Sequence, residues 1–247
     1  MVRFTRVIVV VFIRFFIPFM VLTFVVHRAF FADLQVLTEH FPPYQIVDVN
    51  DNVSGFSADI VNKMLNRAGY PATTTILPWA RAYEVAKSQP NTILYSVYRT
   101  PEREKQFHWL GRLTTVETQI YVSVHAKAVQ ISSLHEAQKY NAVAVRKSAT
   151  AEDLREMGFI ENVNLLLVND YQSVWTILNH GRADFTYSEP PNPILLSSTG
   201  INIDDFTALS FYSKKRNLYV AASLDTDPNI VDSLTKSLAQ VTAETSL

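Results

Sequence analysis

No cysteine occurs among the 247 residues, which together excludes disulfides, thiolate metal ligands, a cysteine nucleophile and a lipid-modified cysteine anchor. Glycine is scarce, at six residues, and no stretch matches a phosphate-cradling glycine loop, an HExxH metal helix or a GxSxG nucleophile elbow. The histidines His27, His40, His108, His125, His135 and His180 lack metal-ligand spacing, so neither a metal nor another cofactor is expected. Internal repeats and low-complexity tracts are also missing. Acids are absent from the first 32 residues, which instead hold Arg3, Arg6, Arg14 and Arg28 around an apolar run, FFIPFMVLTFVV, from Phe15 to Val26. This is the pattern of a signal peptide over residues 1–32, although Arg14 splits this run from the apolar stretch before it and Phe30 is bulky for a cleavage site. An uncleaved anchor is the alternative, because Val7 to Val26 approaches the ~20 residues that a membrane span needs. Setting those four arginines aside leaves fewer basic than acidic side chains, which speaks against a nucleic-acid partner. A cysteine-free exported chain fits a bacterial periplasm.

What is present is an alternation of short β-rich runs and amphipathic helices. Leu34 to Glu39 alternates as a strand and runs into a loop that Pro42-Pro43 keeps from being helical. Gly55 leads into SADIVNKMLNRAGY, whose Ile60, Val61, Met64, Leu65 and Ala68 recur at helical spacing until Gly69 stops them. Thr73 to Leu77 reads as a strand, and a second helix follows from Pro78 to about Ser88. Ile93 to Tyr98 is a third strand. Beyond it, Thr100-Pro101-Glu102-Arg103-Glu104 carries the signals of a short helix start, with Thr as cap, Pro in the first turn and acids beside it.

Leu113 to Val124 is then extended with no helix of its own. A second α/β series comprises strands at 142–145, 163–168 and 183–188, helices at 150–157 and 171–179, and a short helix from Pro190 through Leu196. Asn217 to Ala222 is again extended, before a last amphipathic helix from Pro228 to about Val241. If that helix packs on the first series, the chain passes between two lobes twice, near 116–124 and 212–222. A small-ligand cleft and a hinge are expected between such lobes.

Arg103 follows the third strand, where its planar fork could hold a carboxylate bidentately; a surface ion pair with Glu102, Glu104 or Glu117 is the plainer role. Phe41, Trp79 and Tyr98 read on their own more readily as core aromatics than as cleft walls. Glu189 follows a strand and equally suits the cap of a helix beginning at Pro190.

The segments EHFPPY, GFSADIVNKMLNRAG, RTPEREKQFHW, VRKSATAEDL and GRADFTYSEP occur in an order that resembles periplasmic solute-binding proteins of family 3, over nearly all of the chain beyond the signal. The resemblance implies an α/β, two-lobed type II periplasmic-binding fold with a ligand cleft and a two-strand hinge. The lobes would comprise residues 33–118 with 217–247, and residues 119–216. It implies that Arg103 holds a ligand carboxylate, that Ser96 and Tyr98 face the ligand, and that Phe41 and Trp79 cover it. Ala149 and Thr150, at a helix start, would hold the same carboxylate, and Glu189 would hold an α-ammonium. Glu39 and Arg81 are further cleft candidates.

Several residues depart from the family pattern. Ser148 stands where glycine is usual, Glu189 where aspartate is, and Asn91-Thr92 replaces a G-x-x-D pattern, while Arg81 adds a charge. The resemblance thus implies a monomeric, non-enzymatic receptor that passes an amino acid or related carboxylate to an inner-membrane ABC permease. A dehydratase-like enzyme on the same fold, with Glu39 and Glu189 in proton transfer, is one alternative; a sensory module is another. Arg103, Arg81 and helix N-termini are expected to keep nearby carboxylates ionised, which favours binding over catalysis.

Overall fold

The computed structural model describes residues 34–125 and 129–245. The expected signal peptide lies outside them. In chain order the elements are β1 (Gln35–Thr38), β2 (Ile46–Val47), β3 (Val53–Ser54), α1 (Phe56–Ala68), β4 (Thr74–Ile76), α2 (Trp79–Ser88), β5 (Thr92–Tyr98) and β6 (Phe107–Ser123). They continue as α3 (Leu134–Ala137), β7 (Ala142–Val145), α4 (Ala149–Glu156), β8 (Leu165–Val168), α5 (Tyr171–Asn179), β9 (Phe185–Ser188), α6 (Pro193–Leu196), β10 (Phe206–Ser223) and α7 (Pro228–Thr245).

Eight strands form one hydrogen-bonded sheet in the order β4-β1-β5-β10-β6-β9-β7-β8, and β2 pairs with β3 as a separate ribbon. The centre of the large sheet is the long antiparallel pair β6/β10, whose register shifts between Leu209 and Ser213. A wing of parallel strands hangs on each side. β5 pairs with Leu218–Ala222 of β10 and carries β1 and β4, whereas β9 pairs with Gln119–Tyr121 of β6 and carries β7 and β8. In the β6/β10 register Leu218 lies opposite Thr114 and Leu209 opposite Ile120, so the wings attach at opposite ends of the ribbon. The inner parallel strands are buried on both faces, as seen in β5 and β7, where every residue is buried, whereas the edge strands β4 and β8 keep exposed positions. The chain passes between the wings through β6 and returns through β10. α7 then packs against α1 and β6, closing on the first wing.

Local chemistry explains the helix limits. Gly69 takes the left-handed conformation (φ 78°) that ends α1, while Ser148 and Asp170 cap α4 and α5 by accepting from the backbone N–H of Ala151 and Ser173. The helix expected from Thr100 to Glu104 does not form. Residues 101–106 make successive turns, with Arg103 N–H bonded to Thr100 O at 3.0 Å and Gln106 N–H to Arg103 O at 2.9 Å, and β6 begins at Phe107. Too few residues separate the two strands to repay helix nucleation, so the cap signals produce turns. Strand β6 accordingly starts six residues before the expected extended segment.

Candidate functional site

The carboxyl ends of the parallel strands in both wings converge, and each delivers polar or aromatic groups to one place. β1 leads to Glu39 and Phe41, β4 to Trp79, and β5 ends in Ser96 and Tyr98; from the other wing, β7 leads to Lys147 and Ser148, β8 to Asp170 and Tyr171, and β9 to Glu189. Phe41 stacks on Tyr171 with ring centroids 4.7 Å apart and planes at 18°, so an aromatic pair joins the wings. Tyr44 tilts against Phe41 at 5.2 Å. Glu39, Phe41, Trp79, Ser96, Tyr98, Ser148, Ala149 and Tyr171 enclose a cavity of about 10 Å³, close to the minimum that one water requires. A larger cavity of about 420 Å³ adjoins it along the ribbon, shares Tyr98 and Ala149, and reaches Thr100, Asp153 and Arg216.

Arg103 is fully buried beneath this junction. Its guanidinium carbon lies 4.9 Å from the Tyr83 ring centroid and 5.6 Å from that of Trp79. Its Nη2 donates to Glu152 Oε1 at 2.6 Å and to Lys147 O at 2.9 Å, both in the other wing. Trp79 Nε1 donates to the same Lys147 carbonyl at 2.7 Å, and Lys147 Nζ pairs with Glu84 of α2. A positive φ of 60° at Lys147 accompanies this inward-facing carbonyl. Nε and Nη1 of Arg103 are buried without a hydrogen-bond partner among the described residues, as are Ser96 Oγ, Tyr98 OH and Glu189 Oε1. Thr150 Oγ1 lies 3.0 Å from Ser148 Oγ, at the start of α4, where Ala149 is buried. Arg81 lies on the exposed face of α2 and lines neither cavity.

Acids dominate the other side of the site. Burial pushes Glu39 well above the ordinary carboxylate range, with repulsion from Glu189 and Asp170 adding to it. Burial likewise raises Glu189 to about 7, and its nearest side-chain partner is Ser188 Oγ at 3.2 Å. The expectation that arginines and helix ends keep these carboxylates ionised is therefore reversed. Arg81 is exposed on α2, Glu152 engages Nη2 of Arg103, and desolvation prevails. Glu152 itself is shifted upward, since burial outweighs the pull of Arg103. Tyr171 sits between the two poles: burial raises it, Glu39 adds to the rise, and Arg103 opposes it. Arg216, on the ribbon, pairs with Asp153, faces the Tyr98 ring at 5.5 Å, and is lowered to about 10 by burial and then by Arg103.

The profile of the bacterial extracellular solute-binding proteins, family 3, matches residues 34–247. The chain belongs to this family. Its fold is the type II periplasmic-binding fold, and similar solved structures agree. A histidine kinase sensor domain with similarity to periplasmic binding proteins gives a TM-score of 0.74 at 15% identity, covering 86% of this chain and 92% of that one. An ancestral arginine-binding protein bound to arginine gives 0.72 at 16%, covering 86% and 93%. The arginine-, lysine-, histidine-binding protein ArtJ from Geobacillus stearothermophilus gives 0.71 at 12%, covering 87% and 91%. No curated protein sequence matches the chain significantly.

In this member of family 3, sequence reasoning missed Glu152, Lys147, Asp170, Tyr171 and Arg216. Asp170 and Tyr171 had a legible signal, an N-cap acid and an aromatic at the end of a strand. Glu152 reads only as a first-turn acid of α4, and no sequence signal marks the Lys147 carbonyl.

Proposed function

We propose that the chain is a periplasmic receptor for a small cationic solute, an amino acid or a related compound, which it passes to an ABC-type importer in the inner membrane. The observation that carries this reading is the pair of buried carboxylates, Glu39 and Glu189. Among the described residues neither has a cationic side chain within ion-pair distance. A buried carboxylate needs a compensating cation or a proton, and a bound ammonium or guanidinium between aromatic walls supplies the cation. Phe41, Trp79 and Tyr171 form those walls, Ser96 and Tyr98 contribute hydroxyls, and Arg103 with the α4 start at Ala149 and Thr150 closes the opposite end. That similar structures include one bound to arginine supports a cationic solute.

The lobes are residues 33–118 with 217–247, and 119–216, and β6 and β10 are the hinge. A cavity of about 10 Å³ admits no amino acid, so entry requires the wings to part along the ribbon, and closure is the signal that a permease reads. A thermal-shift screen against amino acids, carboxylates and amines tests the proposal. Cationic solutes should raise the melting temperature, since a ligand at 100 times its Kd adds ~2.7 kcal/mol. Stabilisation by neutral or anionic solutes alone would contradict it. If the closed form instead reports to a membrane-bound sensor, the protein will fractionate with the membrane, not with the soluble periplasm.

One observation favours a second reading, a dehydratase-like enzyme: a carboxyl with a pKa of about 7 suits proton transfer. The acid-rich site disfavours the carboxylated rings that such enzymes take. Formation of an aromatic product from a cyclohexadienyl acid, lost in Glu189→Gln, would establish it.

A further inference from the structure

We infer that the solute is an organic amine that needs no carboxylate, a diamine or a guanidino-amine, with Glu152 as the residue that sets this preference. The inference rests on the receptor reading above and names the class of its ligand. An arginine clasps a carboxylate at two points through either the Nη1/Nη2 edge or the Nε/Nη2 edge of its fork, and both edges require Nη2. Nη2 of Arg103 has two hydrogens. One is directed to Glu152 Oε1 at 2.6 Å and the other to Lys147 O at 2.9 Å, so neither edge is open to a second carboxylate. The protein thus supplies from α4 the acid that an amino acid would otherwise bring.

Arg216 and Lys214, on the adjoining ribbon, both pair with Asp153. Glu39 and Glu189, by contrast, are buried without a cation, and Asp170 adds a third acid beside Glu39. With the Arg103 charge met internally, the cleft presents an excess of acid. An incoming α-carboxylate would find no open two-point edge on Arg103, and Glu39 and Glu189, which must ionise to hold the ligand's cation, would then repel it. A cation at each end of a short apolar stem has the opposite fit: one centre at Glu39, one at Glu189, and the stem against Phe41 and Tyr171, which stack at 4.7 Å.

Titrating the full chain, as expressed and processed, with matched pairs tests this: arginine against 4-aminobutylguanidine, its decarboxylated form, and lysine against 1,5-diaminopentane. The expected result is a Kd for each amine equal to or below that of its amino acid. An amino acid bound tenfold or more tightly than its amine overturns the inference and leaves the receptor reading standing; binding of neither pair, with no other cationic solute raising the melting temperature in the screen, overturns both. Glu152→Ala removes the acceptor and leaves one Nη2 hydrogen, and with it a two-point edge, open to a ligand carboxylate. It should shift the ratio toward the amino acids by about tenfold, the scale of one charge-assisted contact. An unchanged ratio in a folded Glu152→Ala protein overturns the role given to Glu152. Should that variant not fold, the matched pairs on the parent still decide the ligand class.

Discussion

Glu189 concentrates the behaviour expected at the scale of single residues. It follows the end of β9 with Oε1 buried and unpartnered, and burial raises its pKa to about 7. A carboxyl whose folded pKa lies above the unfolded value of 4.5 contributes stability at low pH that is lost as pH rises through about 7. The ligand-free protein should therefore lose up to about 3 kcal/mol from this group between pH 4.5 and pH 7. Glu189→Gln removes the titration. Its melting temperature should exceed the parent's above pH 7 and match it near pH 4, and melting curves across that range check the sign. A variant less stable than the parent at pH 8 would show that the carboxylate is paired in the folded state. Arg103 teaches the complementary lesson. Strand-end placement and a planar fork identified it from the sequence as a group that meets a carboxylate, but the proposed partners Glu102, Glu104 and Glu117 were all local. The partner, Glu152, is 49 residues away, on the other wing.

Among the elements, those set by short-range chemistry were legible and those set by pairing across the sheet were not. α5 (Tyr171–Asn179) has the limits that its cap and apolar spacing predict, and α1 ends at Gly69 as expected. The turns at 101–106 failed as a helix because β6 claims residues from Phe107 onward, a demand that comes from β10 and leaves no local mark. Strands β2 and β3 are two residues each, too short to show a period. Their hairpin nevertheless matters for the site, because Gly55 just after it has φ 103°, and a Cβ there would lie 2.8 Å from both Pro43 O and Tyr44 O. Ser57 N–H bonds Tyr44 O at 2.9 Å, so the start of α1 holds the loop that carries Phe41 and Tyr44. Gly55→Ala should therefore cost about 1–3 kcal/mol in a urea titration and weaken solute binding as well. Normal stability with normal affinity would show that the loop does not depend on this contact.

For the whole molecule, two wings on one antiparallel ribbon place the carboxyl ends of their parallel strands at a common junction, and the residues there decide what the receptor holds. The alternation of elements made the wings legible in the sequence, and the motif order made the family legible. The charge balance of the junction was not, because it depends on which buried ion pairs form across the wings. Cation binding to raised carboxylates is coupled to proton release, so affinity should fall as pH drops below about 7. The central claim is that Glu39 and Glu189 hold the solute's positive charge. Its most direct test is calorimetric titration at pH 7, in two buffers of different ionisation enthalpy, of the parent and of Glu39→Gln/Glu189→Gln with the tightest cationic ligand from the screen. The parent should release protons on binding, and the double variant should release none and bind about 100-fold or more weakly. Equal affinity in the two proteins, with no proton release from the parent, would contradict the account.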